Sequence, residues 1–83
     1  MQDSSLSLNQ LAIGQKAKIV NLDGLGPLKS RILDLGIING TTIEALHHSP
    51  SGDPTAYFVR GTVIALRQED AKKIIVQRTP HLL

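Results

Sequence analysis

Gly26-Pro27-Leu28-Lys29-Ser30-Arg31-Ile32-Leu33-Asp34-Leu35-Gly36-Ile37-Ile38-Asn39-Gly40 is the stretch that decides the fold. It opens as a helix. Proline suits the first helical position, where its missing N–H has no partner to lose. Leu25, Leu28, Ile32 and Leu35 recur at helical spacing and form one apolar stripe, while Lys29, Ser30, Arg31 and Asp34 lie elsewhere. Gly36 fits the left-handed position that ends a helix. Asn39-Gly40 then allows a sharp turn, because both residue types tolerate positive φ.

On either side of this helix the chain reads as short strands. Before it, Lys16 to Leu22 alternates in part, with Ala17 and Ile19 on one face and Lys16 and Lys18 on the other, until Asp23-Gly24 breaks the pattern. After it come Thr41 to His48, a turn-rich loop from Ser49 to Pro54, and a third strand from Ala56 to Arg60. Gly61 allows a tight turn into a fourth strand, Thr62 to Leu66, and Ile74-Ile75-Val76 is the last strand. Two short helical turns complete the pattern. One is Ser7 to Leu11, whose Leu8 and Leu11 are placed to plug one end of a barrel. The other is Gln68 to Lys73, with its acids first and its bases last, the order a helix dipole favours. One helix among about five strands predicts a mainly β fold: a small, partly closed barrel with one inserted α-helix and short helical turns. Residues 1–5 are read as a flexible N-terminus, 6–78 as the barrel and 79–83 as a tail.

Composition narrows the function. A chain of 83 residues is one domain with a thin core, so shallow surface sites are expected rather than a deep enclosed one. Tyr57 and Phe58 are the whole aromatic content, so the core must be aliphatic, and as neighbours on a strand only one of the two faces inward. The absence of cysteine excludes disulfides, thiolate metal sites and cysteine nucleophiles. No apolar run approaches the ~20 residues that span a bilayer. Met1-Gln2-Asp3-Ser4-Ser5 lacks the features of a signal peptide, and a soluble, cytoplasmic protein is expected.

Catalysis is not expected. No Gly-x-Ser-x-Gly elbow is present, and Asp23, Asp34, Glu44, Asp53, Glu69 and Asp70 are scattered. Nucleic acid is not the expected partner either. The net charge is only +2, and two adjacent aromatics make a poor stacking platform. His47, His48 and Asp53 are candidate ligands for a weak transition-metal site, ferrous iron or zinc, with His81 as a third nitrogen if the tail folds back. Adjacent strand residues point to opposite faces, however, which opposes a shared metal. No cofactor is required. Leu25 and Leu28 at the start of the helix, framed by Lys29 and Arg31, are the candidate protein-docking patch.

Five pieces in order carry a resemblance: Leu8, Leu11 and Gly14; Leu35-Gly36-Ile37-Ile38-Asn39-Gly40; the Ser49 to Pro54 loop; Arg60 to Arg67; and Ala71, Ile74 and Val76. Together, over residues 6 to 78, the chain resembles the FeoA family of small ferrous iron transport proteins. The resemblance implies an SH3-like barrel, similar also to the C-terminal domain of diphtheria-toxin-repressor-like regulators. It further implies a non-catalytic regulatory role, docking on the cytoplasmic part of the FeoB membrane GTPase transporter. Contact with the membrane is then only through the transporter. A homo-oligomer is left open, as are two other functions: a small-barrel nucleic-acid-binding protein, and a transition-metal sensor or carrier.

Overall fold

Alternation of apolar and polar residues in the short strands becomes a two-faced sheet in the computed structural model, which describes residues 5–79. Six strands form: β1 (Ser5–Ser7), β2 (Lys16–Asn21), β3 (Thr42–His48), β4 (Thr55–Val59), β5 (Thr62–Leu66) and β6 (Ile75–Arg78). They make one sheet in the order β1-β6-β2-β3-β4-β5, with every neighbouring pair antiparallel. The SH3-like architecture expected from the sequence is the one observed. Register sets Ala17 beside Ile43 and Ile43 beside Val59, and lines Ile19 up with Val76, so that one face is continuous and aliphatic. Leu8, Leu11, Leu22, Leu25, Ile32, Ile37, Leu66, Ala71 and Ile74 close over that face. Tyr57 is buried among them, and Phe58, one residue on, is exposed.

Strand limits differ from the sequence expectation by a residue or two, and two differences bear on the fold. Ser5, read as part of a flexible tail, pairs with Gln77, and β1 adds a sixth strand. Three residues of mixed polarity carry no periodic signal. The strand exists because its backbone bonds to β6, and Leu8 continues the attachment by donating its N–H to the Ile74 carbonyl at 2.8 Å. Gln10 turns back to accept from the Ser7 N–H at 3.0 Å, closing the one-turn 3-10 helix Leu8–Gln10. At the other end Ile74 belongs to the core rather than to the last strand, which begins at Ile75.

Helix α1 (Leu28–Asp34) follows a 3-10 turn at Asp23–Leu25. Its end is specified by backbone geometry. Gly36, at φ +81°, donates to the Leu33 carbonyl at 2.8 Å, and Ile37 donates to the Ile32 carbonyl at 3.3 Å. This is the Schellman pairing, and the residues its longer bond joins, Ile32 and Ile37, both have buried side chains in the core. The reversal takes Leu35 out of the apolar stripe in which its spacing had placed it. Leu35 is exposed, and Ile37 takes the buried position instead.

The β4–β5 connection is a two-residue turn in which Arg60 (φ +53°) and Gly61 (φ +78°) both have positive φ. That geometry matches the twist of the flanking strands. Glycine suits it, whereas arginine is strained in it. A second short helix, α2 (Gln68–Ala71), leads into β6.

Candidate partner-docking surface

The four residues expected to dock a partner do not form one exposed patch. Leu25 lies in the core and Leu28 packs against it, so the stripe at the start of α1 holds the helix to the sheet. Lys29 Nζ pairs with Asp23 Oδ1 at 2.6 Å, and Arg31 is exposed. The exposed apolar side chains of this region stand elsewhere: Leu33 at 41%, Leu35 at 52% and Ile38 at 55% of full exposure. The sequence carries a signal for them. Leu33 falls off the Leu28–Ile32 stripe, and Ile38 adds an apolar residue directly after Ile37, where alternation calls for a polar one.

Two shallow grooves meet at this apolar group. One, of about 450 Å³, is lined by Ile38, Asn39, Gly40, Thr41, Thr42 and Arg60. The other, of about 380 Å³, is lined by Leu22, Asp23, Lys29, Leu33, Ile38 and Asn39. Ile38 and Asn39 form the shared wall, held by the Thr41 hydroxyl, which accepts from the Ile38 N–H at 3.0 Å. Lys18 stands directly across the sheet from Thr42, so cationic residues flank the first groove on two sides. Arg60 projects from the strained turn over the end of α1. A Cβ placed on Gly36 would lie 3.2 Å from Arg60 Nε.

The candidate metal ligands are placed apart. A register shift at Leu46 leaves His47 opposite Ala56 and His48 opposite Thr55, on opposite faces. His48 Nδ1 shares a hydrogen bond of 2.8 Å with the Thr55 hydroxyl. Asp53 is occupied in a different task. Its Oδ1 accepts from the Gln68 N–H at 2.9 Å, capping α2 from 15 residues away, and its Oδ2 lies 4.0 Å from Arg67. These side chains do not fit a common ion, and among the described residues no three His, Cys, Asp or Glu side chains are grouped to hold one. His81 lies outside the described residues. Two residues along β4 from Thr55, burial pushes the Tyr57 phenol above its ordinary value. Thr55 and His48 thus form a small polar pair at the rim of the core. No helix among the described residues is long and apolar enough to cross a membrane.

Comparison with known proteins bears on this surface and on the fold around it. The FeoA domain family matches residues 6–78. A fusion of Fe(2+) transport protein A with the Fe(2+) transporter FeoB, from Porphyromonas gingivalis, is 38% identical over 72 residues. That match takes in 87% of this chain and spans 8% of the fusion protein's length. Among solved structures, a FeoA-like protein from Clostridium acetobutylicum superposes with a TM-score of 0.82 at 30% identity, covering 99% of this chain and 95% of that one. A FeoA from Stenotrophomonas maltophilia, solved with zinc and described as a prokaryotic SH3 domain protein, gives 0.72 at 25% identity, covering 87% and 89%. The fold alone is shared with a manganese-dependent transcriptional repressor, at a TM-score of 0.80 and 12% identity over 95% of this chain and 44% of the repressor. Sequence, barrel topology and the ordered motifs thus agree, and the chain belongs to the FeoA domain family of ferrous iron transport.

Proposed function

We propose that this chain is a non-catalytic accessory protein of ferrous iron transport that docks on the cytoplasmic part of a FeoB-type transporter. One observation carries the proposal: the Porphyromonas gingivalis relative joins the two proteins in a single polypeptide. Covalent fusion keeps partners together at high effective concentration. A separate chain must achieve the same association through its own surface. The exposed group Leu33, Leu35 and Ile38, next to Lys29 and Arg31, supplies an apolar centre with a polar rim, the anatomy of a protein interface. Ferrous iron enters this scheme as the transporter's cargo. Cytoplasmic placement, and membrane contact only through the transporter, follow from the same docking.

The test is calorimetry between this chain and the transporter's cytoplasmic domain, with and without guanine nucleotide and with and without ferrous iron. Saturable binding in at least one of these conditions is expected. No heat and no co-purification in any of them overturns the proposal. A metal-sensing function has one observation in its favour, the zinc held by the Stenotrophomonas maltophilia relative. Anaerobic titration with ferrous iron or zinc tests it. An affinity unchanged in H47A and H48A removes those two residues from any such site.

A further inference from the structure

Arg60 is costly where it stands. It is a non-glycine residue at φ +53° in a turn where glycine, asparagine or aspartate is favoured. Among the described residues, none of its guanidinium donors is hydrogen-bonded and no carboxylate lies in ion-pair range of it. It therefore does not serve the fold through a charge partner. Strain of this kind persists where the surrounding structure holds it, and it gathers at functional sites. The surroundings here are specific. Gly36, without a side chain, leaves room for the guanidinium to lie over the end of α1. There Arg60 forms one wall of the groove whose other wall is the exposed Ile38.

We propose that Arg60 is the anchor of the docking surface, and that the groove takes an apolar segment of the partner protein carrying a carboxylate. This rests on the adaptor function and names the chemistry of its contact. Charge complementarity selects the occupant. Arg60 and Lys18 present unpaired positive charge on the two sides of Thr42, while the nearest acid on that face of the sheet, Glu44, stands opposite Lys16. A guanidinium offers a planar fork that a carboxylate meets with two parallel bonds, and exposed Ile38 in the same groove offers the apolar contact beside it. Neither feature selects a base-stacking ligand: the nearest exposed aromatic residue in sequence, Phe58, does not line the groove.

The test separates anchoring from folding. R60G and R60N both accept positive φ and relieve the strain there, so each is expected to unfold in urea at a midpoint no lower than that of the native chain. Calorimetry with the transporter's cytoplasmic domain is expected to show affinity falling tenfold or more in both variants. A smaller fall is expected for K18Q, and a loss of at least tenfold for I38D. In the labelled native chain, the Arg60 side-chain Nε–H resonance is expected to shift on addition of the domain, and the loss in R60N to be largest at low salt. If the native chain binds and both Arg60 variants bind equally well, the anchor is overturned and the adaptor function stands. If the native chain does not bind, both fall together. If the native chain binds and the Arg60 resonance does not move, the carboxylate contact is overturned.

Discussion

At the scale of single residues, the strained turn and the helix end depend on each other. Gly36→Ala places a side chain at φ +81° and against Arg60, whose flexible end must move aside. The left-handed backbone alone costs an alanine ~1–2 kcal/mol. A loss of that size is expected in urea unfolding of G36A, together with weakened partner binding through the displaced Arg60. Tyr57 gives the molecule a second measurable property. Its phenol is buried, and burial raises its pKa above the ordinary value near 10 that it has in the unfolded chain. The folded state then keeps its proton where the unfolded state has released it. The contribution is fully present below pH 10 and is lost as pH climbs through the raised folded value. Unfolding free energy measured across pH 8 to 12 is expected to hold steady and then fall. Tyr57→Phe is expected to flatten the Tyr57 part of that fall. That only one of Tyr57 and Phe58 turns inward follows from strand alternation; which of them does was open in the sequence, and the structure buries Tyr57. The capping of α2 by Asp53 was not legible, because 15 residues of turn and hairpin separate the carboxylate from its donor.

At the scale of elements, α1 shows what periodicity decides and where it fails. Seven residues are too few for a helix to stand alone in water, where ~12–15 are needed even for favourable sequences. Packing of Ile32 and the Schellman pairing with Ile37 must therefore hold it. Ile32→Ala is expected to lower unfolding free energy by ~2–5 kcal/mol, enough to threaten a domain of this size. Leu33→Ala, one residue on and solvent-facing, is expected to change it by no more than ~0.5 kcal/mol. Paired urea titrations check the contrast. The existence of the helix and of five strands was legible, because each has its own pattern of spacing. β1 was not, because it consists of backbone pairing without a hydrophobic signature. The register shift at Leu46 was likewise hidden, because bulges leave alternation locally ambiguous, whereas the opposite facing of His47 and His48 was legible from strand alternation. The exposed group at Leu33, Leu35 and Ile38 was partly legible as apolar residues off the stripe. Spacing alone assigned Leu35 to the core because it did not anticipate how sharply Gly36 reverses the chain.

At the scale of the whole molecule, the proposed function rests on association, and in association affinity can be traded against covalent linkage. If docking is what the fusion relative secures by its single polypeptide, then a weakened adaptor should be rescued the same way. R60G supplied as a separate chain is expected to support less ferrous iron uptake than the native chain. The same variant joined to the transporter by a flexible linker is expected to recover, because effective concentrations reach roughly millimolar for short linkers. Uptake of radiolabelled ferrous iron in cells lacking both proteins measures the difference. The fold is suited to such rearrangement. Ser5 and Gln77 are direct partners in the antiparallel ladder between β1 and β6. The polypeptide therefore enters and departs through the same doorway, about one interstrand spacing (~4.8 Å) wide. A unit whose first and last described strands pair in this way can be grafted onto a host at one point of attachment, the ladder between β1 and β6 serving as the clasp that keeps it shut.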